Sequence, residues 1–275
     1  MDTVVRVERC PAAGETVAGL GTERHRGGKG GNQAYAAARL GGAVAVVGKV
    51  GDDEGGRWLL EGLAAGGVDV GGVRRGGAET GSAQIWVEAS GENRIVVVAG
   101  ANGELEAGEL NAGVFDGAGV VLLQLEVPME VVLAAAGVAR EAGAVVVLDP
   151  APVPEGGVPD EVLAYVDFLT PNEGELAAMG GDVNALLGRG VKNVVVKRGA
   201  DGATSCGEAG EFKWGAPAVE AVDTTAAGDV WNGAFGFALA SGEGVEAAGA
   251  FACRAASVSV TRRGAQSSMP ERGAV

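Results

Sequence analysis

Residues 119–150, GVVLLQLEVPMEVVLAAAGVAREAGAVVVLDP, contain the pattern that decides the fold. Two short apolar runs, at 119–127 and 144–150, enclose a stretch at 130–142 whose pattern predicts a helix. Continuous apolar strands that alternate with helices form mostly parallel sheets covered on both faces. The sequence therefore predicts an α/β core. Further strands are expected at 43–51, 166–172 and 193–199, and further helices at 174–179 and 230–241.

Two other regions have the strand-turn-strand pattern of hairpins. TVVRVER at 3–9 is followed by the turn PAAG and resumes at ETVAG, and SAQIWV at 82–87 and RIVVV at 94–98 flank ASGEN. Polar positions interleave with apolar ones, as expected of a sheet with one solvated face. These segments predict a small β lid, an element that excludes water from transfer chemistry. The predicted division is a lid of residues 1–22 and 80–100 and a core of residues 23–79 and 101–275.

Composition favours a folded protein that binds small molecules. The 275 residues are 47% hydrophobic, and the net charge of −15 works against binding to nucleic acid or to an anionic membrane. Apolar runs are interrupted by charge well short of the ~20 residues that a membrane helix needs, and no signal peptide is visible. The scattered Cys10, Cys206 and Cys253 have no metal-binding spacing. They indicate reduced thiols, so the expected location is the cytoplasm.

The segment EAVDTTAAGDVWNGAFGFALASG at 220–242 is the strongest candidate for chemistry. A helix is expected to begin near Asp229, preceded by the small residues Ala226, Ala227 and Gly228. Small residues at a helix N-terminus leave backbone N–H groups open to an anion, which suits a phosphoryl group in transfer. Asp229 would then take the proton from an attacking hydroxyl. The alternative, with equal weight from spacing alone, is that Asp229 caps the helix.

Two other carboxylates lie at predicted strand ends. Asp223 follows a short strand expected to end near Val222, and it is either a second cap or a cation ligand. Glu126 ends the apolar strand at 119–127, at the edge where ligands bind in open α/β sheets. A solvated strand end is the competing interpretation for Glu126.

The segment TPNEGEL crowds amide and acidic oxygens into the first turn of a predicted helix. Asn172, Glu173 and Glu175 follow Pro171, which is expected to start the helix. Such a group suits hydrated Mg²⁺ beside nucleotide phosphates. The alternative is ordinary complementarity between acidic side chains and the helix dipole.

Five segments in order along the chain form a recognisable set. They are GGKGGNQA at 27–34, LLQLEVP at 122–128, TPNEGE at 170–175, DTTAAGDVWNGAF at 223–235 and TRRGAQSSMP at 261–270. Together they resemble the ribokinase-like (PfkB) family of carbohydrate kinases. The resemblance implies a three-layer α/β fold with a mostly parallel central sheet and a small β-sheet lid. It also implies ATP-dependent phosphorylation of D-ribose at the 5-hydroxyl, giving D-ribose 5-phosphate and ADP.

The same resemblance implies roles for individual residues. Asp229 would be the base that activates the ribose hydroxyl, and Ala226, Ala227 and Gly228 would form the anion hole. The glycine-rich segment would lie against the sugar rather than against phosphate. The implied sugar-binding residues are Asp2, Gly28, Lys29, Asn32, Glu126 and Asp229.

Nucleotide and cation sites are implied in the same way. The residues matched to ATP and Mg²⁺ are Asn172, Glu175, Lys197, Gly199 and Gly228. The residues matched to a K⁺ site are Asp223, Thr225, Ser259, Arg262, Gly264 and Ser268. Members of the subtype that this chain resembles pair through their lids, so a homodimer is expected.

The resemblance also implies a core strand and a sugar-contacting asparagine ahead of Asp2, which this sequence lacks. Without that strand, two sheet edges inside the core are expected to be unpaired. Two alternatives to a ribose kinase stay open. One is a related sugar or nucleoside kinase, and the other is a truncated, weakly active or inactive sugar-binding homologue. An organellar location is likewise an alternative if an upstream segment contained a transit peptide.

Overall fold

A computed structural model describes residues 1–111 and 113–275 of the chain. The strands are β1 (Asp2–Val7), β2 (Gly19–His25), β3 (Val44–Gly51), β4 (Val68–Gly76), β5 (Ser82–Glu88), β6 (Asn93–Val98), β7 (Val120–Leu123), β8 (Val145–Leu148), β9 (Phe168–Leu169), β10 (Asn193–Lys197), β11 (Ala203–Gly207) and β12 (Phe212–Trp214). The helices are α1 (Lys29–Arg39), α2 (Glu54–Ala65), α3 (Met129–Glu141), α4 (Asp160–Leu163), α5 (Glu173–Ala178), α6 (Val183–Gly188), α7 (Ala227–Ala240) and α8 (Val245–Ser259).

The core is a six-stranded sheet of order β12-β11-β10-β9-β8-β7, covered by helices on both faces. Strands β7 to β10 are parallel, and β11 and β12 are antiparallel to their neighbours. Side chains alternate across the sheet, so Val147 packs with Phe235 of α7 on one face. Val146 packs with Val132 of α3 on the other face. The predicted three-layer α/β fold with a mostly parallel sheet is confirmed.

Close packing of α1 on α7 brings the two most informative sequence segments together. Gly233 of α7 faces α1, and a Cβ atom added there would lie 2.6 Å from the backbone oxygen of Gln33. Only glycine therefore permits this approach without displacing a helix. Asn32 and Gln33 are buried at this contact, and their side-chain amides donate to Asp229 in the first turn of α7.

The lid is a separate four-stranded sheet of order β2-β1-β5-β6. Both predicted hairpins are present, and β1 joins them by pairing in parallel with β5. The first hairpin differs from the sequence-based expectation. Strand β2 begins only at Gly19 and continues to His25, so ETVAG at 15–19 lies almost entirely in the connection.

The strand expected to end near Val222 is absent, since residues 215–222 have no strand in the described chain. The N–H groups of Val222 and Asp223 both donate to the carbonyl oxygen of Val260, just past the end of α8. This segment is therefore held by a helix end rather than by a sheet edge. Helix α7 begins at Ala227, two residues before Asp229.

Strands β3 and β4 form a two-stranded parallel sheet of their own beside the core sheet. Strands β3 and β7 both line a cleft of about 750 Å³. In the described part of the chain, neither β3 nor β7 has a strand partner on its cleft side. An outer strand leaves about half of its backbone hydrogen-bonding groups without a strand partner.

A designed apolar extension ahead of Met1 is expected to occupy this cleft and stabilise the fold. Met1 also lines the cleft, so an eight-residue Val/Ile-rich segment fused there is expected to enter the cleft, within reach of the two outer strands. Pairing on both sides and burial of apolar side chains should raise the midpoint of thermal unfolding by at least about 5 °C. Differential scanning calorimetry measures the change. A Gly/Ser extension of equal length is the control, and equal midpoints for the two extensions would refute the expectation.

Among the described residues, no helix has both the length and the apolar character needed to cross a bilayer.

Candidate active site

Four charged side chains meet at the carboxyl edge of the core sheet. Glu126 follows β7, Asp149 follows β8, Lys197 ends β10, and Asp229 lies in the first turn of α7. Because the carboxyl ends of parallel strands share one edge, residues far apart in sequence converge there. Groups on α1 donate hydrogen bonds to Glu126, Asp149 and Asp229, and Lys197 donates directly to Asp149.

The glycine-rich segment and the lid meet at the expected sugar side of this edge. Gly28 precedes α1 with φ of 90°, a conformation that glycine adopts readily. The N–H of Lys29 donates to Oε2 of Glu126 at 2.8 Å. Asp2 lies so close to Gly27 that a Cβ atom there would overlap its carboxylate. The structure thus brings four residues predicted to bind sugar to one place: Asp2, Gly28, Lys29 and Glu126.

Burial and charge determine the ionisation of these groups. Burial raises the pKa of Glu126 and of Asp2 above their ordinary values. Burial works against the charge on Lys29, but the carboxylates of Asp229, Asp149, Glu126 and Glu175 outweigh it and raise the pKa of Lys29. Lys29 is therefore a charged donor that faces a group of carboxylates.

Asp229 is buried, and both of its carboxylate oxygens accept hydrogen bonds from α1. Asn32 Nδ2 donates to Oδ2 at 2.9 Å, and Gln33 Nε2 donates to Oδ1 at 3.2 Å. Burial raises the pKa of Asp229, and the charge of Lys29 acts against that rise. A carboxylate with a raised pKa is a stronger base, which suits proton abstraction from a hydroxyl. Asn32 is one of the residues predicted to bind sugar, but in the structure its side-chain nitrogen donates to Asp229. Its side-chain oxygen accepts from Gln266 Nε2 at 3.4 Å.

The residues predicted to form an anion hole, Ala226, Ala227 and Gly228, lie at the start of α7. Ala226 has φ of 58°, and its carbonyl oxygen accepts the N–H of Val230 as the first bond of the helix. The N–H groups of Gly228 and Asp229 precede that bond, so they have no i−4 acceptor within the helix. The N–H of Ala227, a predicted anion-hole donor, instead donates to the carbonyl oxygen of Thr224, so the N–H groups without a helical acceptor are those of Gly228 and Asp229.

Lys197 places a positive charge beside this helix end. A Cβ atom added at Gly228 would lie 3.6 Å from Lys197 Nζ, so the ammonium group borders the predicted hole. Lys197 Nζ also donates to Asp149 Oδ1 at 2.8 Å, and both side chains are largely buried. The backbone of Lys197 pairs with Asn172, and Gly199 starts the turn that follows β10. Four residues predicted to bind nucleotide are thereby grouped: Asn172, Lys197, Gly199 and Gly228.

Asn172 and Glu175 form a reciprocal cap at the start of α5. The N–H of Asn172 donates to Glu175 Oε2 at 2.7 Å, and the N–H of Glu175 donates to Asn172 Oδ1 at 2.8 Å. Helix α5 begins at Glu173, two residues after the expected start at Pro171, and Asn172 caps it. Glu173 and Glu175 lie in its first turn, as the alternative of complementarity with the helix dipole expects. Burial raises the pKa of Glu175. No cluster of three or more His, Cys, Asp or Glu with metal-binding geometry occurs in the described chain.

Two loops that contain the predicted K⁺ residues are tied together through Asp223. Its Oδ1 accepts the N–H of Thr225 at 2.9 Å, and its Oδ2 accepts the N–H of Gly264 at 2.8 Å. Ser259 and Ser268 lie on either side of the loop that contains Gly264, and both are buried. Each hydroxyl donates to the backbone oxygen of the residue three positions earlier. The two loops offer hydroxyl, carboxylate and backbone oxygens, the donor type that hard cations prefer. Arg262 lies in the second loop, where only its backbone oxygen suits a cation.

Sequence reasoning missed three residues that complete the site. Gln33 and Gln124 hydrogen-bond to each other, and Gln33 also binds Asp149. Asp149 had a usable signal, because it ends an apolar strand just as Glu126 does. Gln33 lies inside the glycine-rich segment that drew attention, but its partners are 91 to 196 residues away in sequence.

Comparison with known proteins agrees with this geometry. The family model described as pfkB family carbohydrate kinase matches residues 1–272. The chain is 40% identical over 279 residues to a ribokinase of Bacillus subtilis, covering all of this chain and 94% of that protein. The crystal structure of a ribokinase from Thermotoga maritima superposes with a TM-score of 0.92 at 37% identity, covering 99% of this chain and 94% of that one.

A structure of an Arabidopsis thaliana ribokinase complexed with ribose and ATP is also similar. Its TM-score is 0.90 at 34% identity, covering 99% of this chain and 93% of that one. The family match spans nearly the whole chain, and the sequence and structure relatives agree with it. The chain therefore belongs to the pfkB family of carbohydrate kinases.

Proposed function

We propose that this protein is an ATP-dependent kinase that phosphorylates D-ribose at the 5-hydroxyl and releases ADP. One observation carries the proposal: the buried carboxylate of Asp229 lies in the first turn of α7, with Lys197 beside the same helix end. A base and an anion site at one helix end are what transfer of a phosphoryl group to a hydroxyl requires. The ribose and ATP complex of the plant relative supports the choice of substrates.

In the proposed reaction, Asp229 accepts the proton of the 5-hydroxyl while that oxygen attacks the γ-phosphorus in line. The bond from the γ-phosphorus to the bridging oxygen breaks, and ADP leaves with its electron pair. The N–H groups of Gly228 and Asp229 and the ammonium of Lys197 face the charge on the transferring group. Asp2, Lys29 and Glu126 hold the sugar hydroxyls by hydrogen bonds, which fixes the attacking oxygen near Asp229.

Two cations belong to the proposal. Asn172 and Glu175 would hold hydrated Mg²⁺, which supplies charge neutralisation at the ATP phosphates. The loops joined by Asp223 would hold K⁺ through oxygen atoms of Thr225, Ser259, Arg262, Gly264 and Ser268. A cation there adds positive potential near the start of α7.

The direct test is ribose-dependent ADP production with Mg²⁺ and K⁺ present and a no-sugar control. Parallel assays with deoxyribose, fructose and adenosine distinguish ribose from the substrates of related sugar and nucleoside kinases. Turnover that is highest with ribose supports the proposal. Ribose binding by calorimetry without any turnover would instead indicate a sugar-binding homologue.

We also propose that the four-stranded sheet is a lid on the α/β core and that two copies pair through their lids. The sequence-based division ends the first lid segment at residue 22, but β2 continues to His25 in the same sheet. The lid would therefore comprise residues 1–25 and 80–100, and the core residues 26–79 and 101–275. Strand β6 supports the pairing, because it is an outer strand with large apolar side chains in solvent. The exposed fractions are 53% for Ile95, 51% for Val96, 69% for Val97 and 53% for Val98.

Charging this strand is expected to separate the copies. Val97→Lys places a charge on the most exposed of these side chains, and a buried unpaired charge at an interface costs several kcal/mol. Sedimentation velocity should show a dimer for the wild type and a monomer for Val97→Lys at micromolar concentration. Lys213→Glu, which changes an exposed charge on β12 away from the lid, is the control and should remain dimeric. A monomeric wild type would refute the pairing.

A further inference from the structure

Hydrogen bonds through Gln33 and Asp149 join Asp229 to Lys197, the residue that borders the proposed anion hole. Gln33 Nε2 donates to Asp229 Oδ1 at 3.2 Å and to Asp149 Oδ2 at 3.0 Å. The other oxygen of Asp149 accepts from Lys197 Nζ at 2.8 Å. Gln33 Oε1 accepts from Gln124 Nε2 at 2.7 Å. Gln33 and Asp149 are 1% and 2% exposed, so water does not compete for these bonds.

The chemistry of the partners fixes the orientation of the Gln33 amide. Both donor contacts go to carboxylates, and the remaining contact comes from an amide N–H. The flipped amide would direct its oxygen at two carboxylate oxygens and its NH₂ group at a donor, so only one orientation satisfies all partners. The Lys197 ammonium offsets the charge of Asp149. This pairing lowers the free-energy cost of burying a second carboxylate near Asp229.

We propose that Gln33 and Asp149 are positioning residues for phosphoryl transfer, forming a rigid bridge between Lys197 at the anion hole and the Asp229 carboxylate. The bridge holds the base at a fixed distance from the lysine that faces the transferring group. Misplacement of a reacting group by about 1 Å costs on the order of 100-fold in rate, so such a bridge has a large kinetic value. The inference rests on the proposed function to the extent that Asp229 is the base.

The bridge also adjusts the basicity of Asp229 in two opposing ways. Burial is the main cause of its raised pKa; Lys29 lowers that pKa, Asp149 raises it, and the hydrogen bonds from Asn32 and Gln33 lower it. Removing the Gln33 donor should therefore raise the pKa of Asp229 further. Removing the Asp149 charge should lower it. The charged groups that face Asp229 from the surrounding elements are Lys29 of α1, Glu126 after β7 and Asp149 after β8.

The test uses Gln33→Met, which keeps the side-chain length without the donor, and Asp149→Asn, which keeps the shape without the charge. Each should lower kcat for ribose by about 10- to 100-fold, with KM for ribose changed by less than about twofold. The acid limb of the kcat profile should move to higher pH in Gln33→Met and to lower pH in Asp149→Asn. A merely structural role would lower the active fraction without moving the two limbs in opposite directions.

Asp167→Asn is the matched control, because Asp167 pairs with Lys192 at 2.6 Å at the opposite edge of the same sheet. It should change neither kcat nor the pH limb. A second measurement, the titration of the Asp229 carboxyl ¹³C resonance assigned by its loss in Asp229→Asn, does not depend on activity. If the wild type fails to turn over ribose, the proposed function fails while this titration still tests the bridge. Unmoved titrations in both bridge variants would overturn the inference.

Discussion

Replacing Asp229 by Asn is expected to lower kcat for ribose by about 1,000-fold while the protein stays folded. The amide of Asn cannot accept the hydroxyl proton, and the remaining rate comes from positioning and the anion hole. KM for ribose should change little, because Asp2, Lys29 and Glu126 remain in place. Single-turnover measurements with ribose and ATP give the chemical step directly, and less than a tenfold loss would exclude Asp229 as the base.

The same variant is expected to be at least as stable as the wild type at neutral pH. Burial raises the pKa of Asp229 in the folded state above its unfolded value. In the pH window between those two values the folded protein binds more protons, so stability falls as the pH rises through the window and stays lower above it. Asn removes this penalty but loses one of the two hydrogen bonds from α1. Thermal unfolding at two pH values separates the pKa penalty from the lost hydrogen bond. The stability of Asp229→Asn relative to the wild type should decrease at acid pH, where the penalty is absent.

The sequence predicted the fold well because its strongest signals are local. Short apolar runs rich in β-branched residues, such as 144–150, favour strands buried on both faces. The helix predicted at 130–142 is observed within one residue at each end. The strand near Val222 was wrong for a non-local reason. Its backbone bonds to Val260, and no pattern within 215–222 reports on the end of a distant helix.

The site was predictable in part for the same reason. Asp229 and Glu126 have recognisable positions, at a helix start and at a strand end. The bonds of Gln33 to Asp149 and Asp229 join segments 116 and 196 residues apart, so only the assembled sheet edge reveals them. The family resemblance supplied roles for single residues but not the hydrogen bonds between them.

Replacing Lys197 by Met is expected to have the largest effect on stability. Asp149 would keep its buried charge with no cation against it, and breaking a buried pair in this way costs about 3–5 kcal/mol of unfolding free energy. The side chains of Lys197 and Asp149 are 11% and 3% exposed, so solvent cannot replace the lost partner. Urea denaturation measures the loss. Lys192→Met is the control, and it should cost about 1 kcal/mol or less because that pair is more exposed.

The double variant Lys197→Met/Asp149→Asn separates stability from catalysis. Removing both charges takes away the uncompensated carboxylate, so most of the unfolding free energy should return. Activity should not return, because neither the ammonium beside Gly228 nor the anionic end of the bridge is restored. Recovery of both properties would mean that Lys197 acts only in folding. Recovery of stability alone would mean that an apolar pair of similar volume suffices for folding. The buried ion pair would then be kept because its lysine faces the transferred phosphoryl group.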